Sequence, residues 1–161
     1  MGKSTLVADL AQALPGHTVV VEPYVALVEE GHSFADPPTV EDFEAQLVRS
    51  IEMLGEGGAD VLFERCPVDF LAYIAAHEDG GTFDLRAWLP RVRAAVSTLD
   101  LVAYAPLEAG RHRGFRARVD DQLREILVGD AHGLGLNAVE VAGEPGARVA
   151  LLLAHIRRAR G

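Results

Sequence analysis

The chain has 161 residues, about 49% of them apolar, and carries a net charge of −9 from 15 Lys+Arg against 24 Asp+Glu. That length suits one domain with a sizeable core, and the acidic balance excludes a general binder of nucleic-acid duplexes or of anionic membranes. A single cysteine, Cys66, excludes an internal disulfide and a cysteine-rich zinc site. In chain order, Leu6 to Leu14 has helical spacing and stops at Pro15-Gly16. Thr18 to Glu22 (TVVVE) is a β-branched run closed by Pro23, which predicts a buried strand, and Tyr24 to Pro38 reads as irregular. Thr39 caps an amphipathic helix through Leu54, with Val40, Phe43, Leu47 and Ile51 at three- or four-residue steps. Asp60 to Glu64 (DVLFE) predicts a second buried strand. Pro67 opens a helix through His77, Glu78 to Gly81 a turn, and Thr82 to Val96 a further helix. Asp100 to Ala105 predicts a third strand, and an arginine-dense stretch, 111 to 124, turns helical in its second half. A strand over Ala138 to Val141 and a helix from Pro145 to Arg158 complete the pattern. Strands alternating with helices indicate parallel pairing, and so an α/β class with a sheet sandwiched by helices.

Of the 15 basic residues 14 are arginine, and the one lysine sits in Gly2-Lys3-Ser4-Thr5, directly ahead of a helix. This is the second half of the phosphate-loop pattern G-x-x-x-x-G-K-[ST]. Backbone amides at a helix start wrap a β-phosphate, Lys3 bridges the outer phosphates, and the Ser4 hydroxyl ligates magnesium. A compact ammonium suits that place better than a planar guanidinium. The bland alternative is a polar start to an ordinary helix. The leading glycine of the pattern would fall four residues ahead of Met1, and a buried central strand would precede it. The expectation is therefore a truncated phosphate loop, about ten residues short, with four visible strands and the first central one missing. Two apolar strands would then have unpaired edges, with weak stability and poor nucleotide binding as consequences.

Glu22 closes the first visible strand, and Glu64-Arg65 closes the second. In an open parallel sheet both ends lie on the edge where ligands bind. Neighbouring strands are about 4.8 Å apart, so two acids there can flank a reacting hydroxyl and a magnesium ion. Each acid can equally be a surface residue at a strand end.

The order of GKST, VVVEPY and LFERCP resembles that of P-loop nucleoside and nucleotide kinases, above all deoxynucleoside kinases. Those enzymes carry Glu-Pro after the second strand and (Asp/Glu)-Arg after the third. LFERCPVDFLAY is also similar to P-loop proteins labelled AAA-type ATPases or ATP-binding proteins. The resemblance covers nearly the whole chain, although only GKST is individually specific. It implies Glu22 as general base for an acceptor hydroxyl, Glu64 as organiser of magnesium and its waters, and Arg65 as a contact to substrate or transferring phosphate. Cys66-Pro67, where deoxynucleoside kinases have Ser, leaves the acceptor open. The resemblance also implies a lid over about 107–129, whose arginines close over ATP, with Arg113 and Arg118 as its candidates. The alternative is a solvated helix face with Arg116 paired to Asp120, and Arg118 to Asp121 or Gln122. The Gly143-Glu144-Pro145 turn is where such kinases hold adenine through backbone contacts.

Six scattered histidines form no metal-binding pair, and Cys66 has no base partner, so it reads as a packed thiol. Tyr24, Phe34, Phe70 and Tyr73 are candidates for an acceptor pocket or for core. The expectation is one domain over 1–161, without a signal peptide or membrane span and hence cytoplasmic. It would transfer phosphate from magnesium–ATP to a small hydroxylated acceptor, a nucleoside among them. Two alternatives stand beside this: an ATPase or nucleotide-dependent switch, and an inactive remnant of the fold.

Overall fold

Helix α1 (Lys3–Ala13) leads into strand β1 (Thr18–Val20), and Pro23 then starts a second helix, α2 (Pro23–Glu29), in a computed structural model that describes residues 2–161. Next come α3 (Val40–Glu56), β2 (Val61–Phe63), α4 (Pro67–Ala76) and a single 3-10 turn (Gly80–Thr82). The chain continues through α5 (Leu85–Val96), β3 (Val102–Tyr104), α6 (Phe115–Leu127), β4 (Ala138–Glu140) and α7 (Pro145–Arg160). Among the described residues no helix is long and apolar enough to cross a membrane.

Both strand pairings are parallel. Thr18 faces Val61 and Val20 faces Phe63 in the β1–β2 ribbon; Val102 faces Ala138 and Tyr104 faces Glu140 in the β3–β4 ribbon. The ribbons do not hydrogen-bond to each other, so the single sheet expected from the alternating pattern is instead two two-stranded halves. An apolar slot of about 450 Å³ runs between β2 and β3. This explains a second departure. TVVVE and DVLFE were expected to be buried on both sides, yet Val19 and Val21 are 47% and 52% exposed and β2 is only half buried. A two-stranded ribbon shields its strands less than the middle of a wide sheet does.

The larger core lies among α3, α4, α5 and α6, with Leu47, Phe70, Ile74, Val92 and Ile126 almost inaccessible. Each such side chain contributes about 1.5–3 kcal/mol through removal from water. A smaller cluster joins Leu6 and Leu10 of α1 to Leu152 of α7 and to Val141. The slot lies between these clusters and is lined from both, by Leu6 and Leu152 on one side and Val68 and Leu123 on the other.

Two segments depart from the pattern reading. Pro23 closes the strand run in the sequence, but its fixed φ and missing N–H also suit the first position of a helix, and α2 begins there. The helix expected from Thr82 begins only at Leu85, where the Asp84 side chain accepts from the Ala87 amide. Ahead of it the chain is held in the 3-10 turn, where Gly80 packs so tightly that a Cβ would stand 2.1 Å from the Ile74 carbonyl oxygen.

The α3 cap matches its pattern and extends it. The Thr39 hydroxyl accepts from the Asp42 amide while the Asp42 carboxylate accepts from the Thr39 amide. The same buried carboxylate also takes the Ala35 amide and meets His32 at 3.3 Å. Burial alone would raise the Asp42 pKa, but the Thr39 and Ala35 amides with His32 outweigh it and hold the group below the ordinary carboxylate value. A depressed folded pKa gives stability that is full above the unfolded value of about 3.9 and is lost as pH falls through the folded one. Asp42→Ala is therefore expected to cost about 2 kcal/mol at pH 7. In urea titrations the gap to wild type should narrow below about pH 4; a gap independent of pH would refute the assignment.

Candidate functional site

The β1–β2 register brings the chain that follows each strand to one edge, where α2 and α4 begin. Glu22 is the residue before α2, and Glu64-Arg65-Cys66 leads into α4. The start of α1 arrives at the same edge. Gly2 enters that helix with φ +110, left-handed backbone that glycine adopts freely, and its carbonyl accepts from the Leu6 amide at 2.8 Å. A Cβ there would stand 3.3 Å from the Arg148 guanidinium.

Polar contacts join the three segments. The Ser4 hydroxyl donates to the Glu64 carboxylate at 2.6 Å, across sixty residues of sequence. Arg65 Nε donates to Glu22 at 3.4 Å, and its Nη1 donates to Asp69 at 3.3 Å. Lys3 Nζ lies 3.9 Å from that same Asp69 oxygen, Oδ1. The Arg65 guanidinium also stands 5.5 Å from the centre of the Tyr73 ring. Burial would make Arg65 easier to deprotonate, but Asp69, then Tyr73 and Glu22, outweigh that and raise its pKa above the ordinary value. Its positive charge is permanent at any working pH.

Asp69 is the residue that the sequence reading missed. It is the third residue of α4, where its second carboxylate oxygen accepts from the Cys66 amide at 2.9 Å and completes a capping box. The spacing Cys66-x-x-Asp69 carries that signal, with a thiol where Ser or Thr is usual. One carboxylate thus caps a helix and stands between the two cations of the site.

The lid candidates are held by other contacts. Arg118 donates from Nε to the Ala76 carbonyl at 3.2 Å and sits over the Phe115 ring, and Arg113 is exposed on the loop before α6. The second half of the 107–129 segment is α6, whose Val119, Leu123 and Ile126 are buried in the larger core. Beside the site, Phe43, Tyr73 and Phe115 form an aromatic wall with ring centres 5.0–6.1 Å apart. Phe70 belongs to the core, whereas Tyr24 stacks on Phe34 at 4.6 Å. A hollow of about 360 Å³ borders Gly2, Thr5 and the Gly143-Glu144-Pro145 turn.

Ser4 and Glu64 offer two hard oxygen donors within hydrogen-bond distance of each other, a donor set that suits magnesium when phosphate oxygens and water supply the rest. Among the described residues no group of three or more His, Cys, Asp or Glu side chains gathers as a metal cage.

No protein-family model matches the chain, and no curated protein matches it either. Among solved structures the chain is similar to deoxyadenosine kinase from M. mycoides, a structure with the products dCMP and a flexible dCDP bound. The two share 13% identity over 98% of this chain and 93% of that one, with a TM-score of 0.64. The α/β architecture, with its short parallel strands in two ribbons, resembles the fold of that kinase.

Burial, then the Asp69 charge, pushes the Cys66 thiol up to about 12, so it stays protonated at pH 8 and makes a poor nucleophile. A colourless-to-yellow disulfide reagent should modify the native thiol on the order of 10³-fold more slowly than the urea-unfolded one. Equal rates would show that Cys66 is accessible and activated.

Proposed function

We propose that this chain is an ATP-dependent phosphotransferase acting on a hydroxyl group of a small acceptor of the nucleoside class, working in the cytoplasm as one domain over 1–161. The observation that carries the reading is the 2.6 Å hydrogen bond from Ser4 to Glu64 at the start of α1, in the same cluster as Lys3, Arg65 and Glu22. A helix start with free amides, a lysine, a hydroxyl and a strand-end carboxylate is the set of groups that phosphoryl transfer from a nucleotide requires.

In this reading the amides of Gly2 to Thr5 receive the β-phosphate, and Lys3 leaves Asp69 to bridge the outer phosphates. Ser4 and Glu64 would hold magnesium, whose chemistry there would be to offset negative charge on the phosphoryl oxygens. Glu22 takes the proton of the acceptor hydroxyl. Arg65 keeps that carboxylate in place and lends its second face to the substrate or the transferring group. The aromatic wall of Phe43, Tyr73 and Phe115 suits the flat face of a base. We assign adenine to the hollow beside the 143–145 turn. Arg113, from the exposed loop, and Arg118, on release of the Ala76 carbonyl, are the groups we assign to covering the phosphates. The similarity to a deoxyadenosine kinase supports the fold that this scheme needs.

Glu22→Gln is the discriminating variant. It removes the base and leaves the phosphate cradle intact, so transfer to a nucleoside should fall by roughly 10²–10⁴-fold. The rise in melting temperature on adding magnesium–ATP should be unchanged. Bare ATP hydrolysis of equal rate in both proteins, with no transfer in either, would favour the ATPase or switch reading. Undiminished transfer would remove Glu22 from the mechanism.

A further inference from the structure

Asp69 is held differently from the other carboxylates of the site. Glu22 bonds to Arg65 and Glu64 to Ser4, each through the end of a side chain that carries nothing else. In Asp69 the two oxygens are divided between backbone and charge. Oδ2 accepts from the Cys66 amide at 2.9 Å and closes the start of α4. Oδ1 faces two cations, Arg65 Nη1 at 3.3 Å and Lys3 Nζ at 3.9 Å. With one oxygen tied to the backbone and the side chain only 14% exposed, this carboxylate keeps its place while the cations around it change partners.

An anion that arrives at the start of α1 therefore finds Lys3 engaged. It must draw the ammonium from a fixed carboxylate, and it then stays close to that carboxylate. A phosphate oxygen about 2.8 Å beyond the ammonium lies no more than about 7 Å from Asp69. Two like charges at that separation, on a surface partly open to water, change an affinity on the order of tenfold. The same oxygen also bears on Arg65, which reaches Glu22 with Nε and Asp69 with Nη1. Without the Asp69 charge, Arg65 would be left with Glu22 as its carboxylate partner and would hold the proposed base as an ion pair.

We propose that Asp69 sets which phosphate ligand the start of α1 accepts. It is a built-in anion that competes for Lys3, turns away bare polyphosphate and admits one whose charge a divalent cation has offset. At the same time it shares the Arg65 charge, so that Glu22 is held in place without being neutralised. The inference rests on the phosphotransfer reading and adds to it a positioning residue that acts through Lys3 and Arg65. One carboxylate thus lowers affinity at the first cation and raises rate at the second, a pair of effects that a helix cap alone would not produce.

Asp69→Asn separates the charge from the cap. Its single oxygen still accepts from the Cys66 amide, and its NH2 group then stands in front of the two cations. Asp69→Glu keeps both features, since Glu is a usual third residue of a capping box. Inorganic tripolyphosphate without magnesium, titrated into the full chain at low salt, should bind Asp69→Asn roughly tenfold more tightly than wild type. Asp69→Glu should stay close to wild type. The gap should shrink severalfold in 0.5 M salt and also when magnesium–ADP is the ligand. In nucleoside phosphorylation, Asp69→Asn should lower both the KM for the nucleotide and kcat. A higher KM, or an unchanged kcat, would overturn the proposal by reducing Asp69 to a structural cap. Should Asp69→Asn fail to melt cooperatively, Asp69→Gln against Asp69→Glu decides in its place, because both residues complete a capping box. Equal tripolyphosphate affinity in the charged and neutral variants, with magnesium–ADP still bound, would overturn the role of Asp69 and leave the phosphotransfer reading standing. No binding of magnesium–ADP by any of these proteins would overturn both.

Discussion

Parallel pairing of β1 with β2 is the constraint on which the site depends. Two strands that run the same way must both hand their chains to one edge, and the register Val20–Phe63 brings Glu22 and Arg65 there together. An antiparallel ribbon of the same residues would have sent Glu22 to one end and Glu64 to the other. Helix starts follow from the same geometry. Pro23 and Pro67 each open a helix directly after a strand, so amide-rich ends and carboxylates gather in one small volume.

The electrostatics of that volume are tightly balanced. Lys3 and Arg65 face Glu22, Glu64 and Asp69, two cations against three carboxylates, which leaves one negative charge in excess. A bare polyphosphate would meet this surplus as repulsion, whereas a nucleotide carrying a divalent cation would bring the charge that the Ser4–Glu64 pair lacks. Asp69 is central to the balance. It fixes the start of α4 through the Cys66 amide and holds the ends of Lys3 and Arg65 near one oxygen. Its position makes the site rigid on the α4 side while Lys3, still 39% exposed, remains free to exchange partners. Arg65 is more confined, between two carboxylates and an aromatic ring. In the proposed scheme the two cations suit different tasks: the first would move to an incoming phosphate, and the second would orient Glu22.

Much of this could be read from the chain alone, for reasons that differ by element. Helix α3 was legible because Thr39 and the Phe43–Leu47–Ile51–Leu54 stripe carry cap and face together, although the part of Asp42 in the cap was not read. The strands were legible as short apolar runs, β-branched in TVVVE, and the edge they share follows from their alternation with helices. Burial was not legible, because a run such as TVVVE says what a strand can bury but not whether neighbours cover it. Helix α2 escaped because Pro23 signals a strand end and a helix start equally well. Asp69 escaped because its role depends on the three-dimensional approach of Lys3, 66 residues away in the sequence. The division of the four strands into two ribbons leaves unpaired strand edges, which the sequence reading did expect.

The central claim is that the start of α1 receives nucleotide phosphates. It is tested most directly by following backbone amide resonances while a non-hydrolysable ATP analogue with magnesium is titrated in, for wild type and for Lys3→Ala. The account predicts the largest shifts at Lys3, Ser4, Thr5 and Glu64, with affinity weakened roughly tenfold or more in the variant. Shifts centred away from α1, or equal affinity in the two proteins, would contradict it.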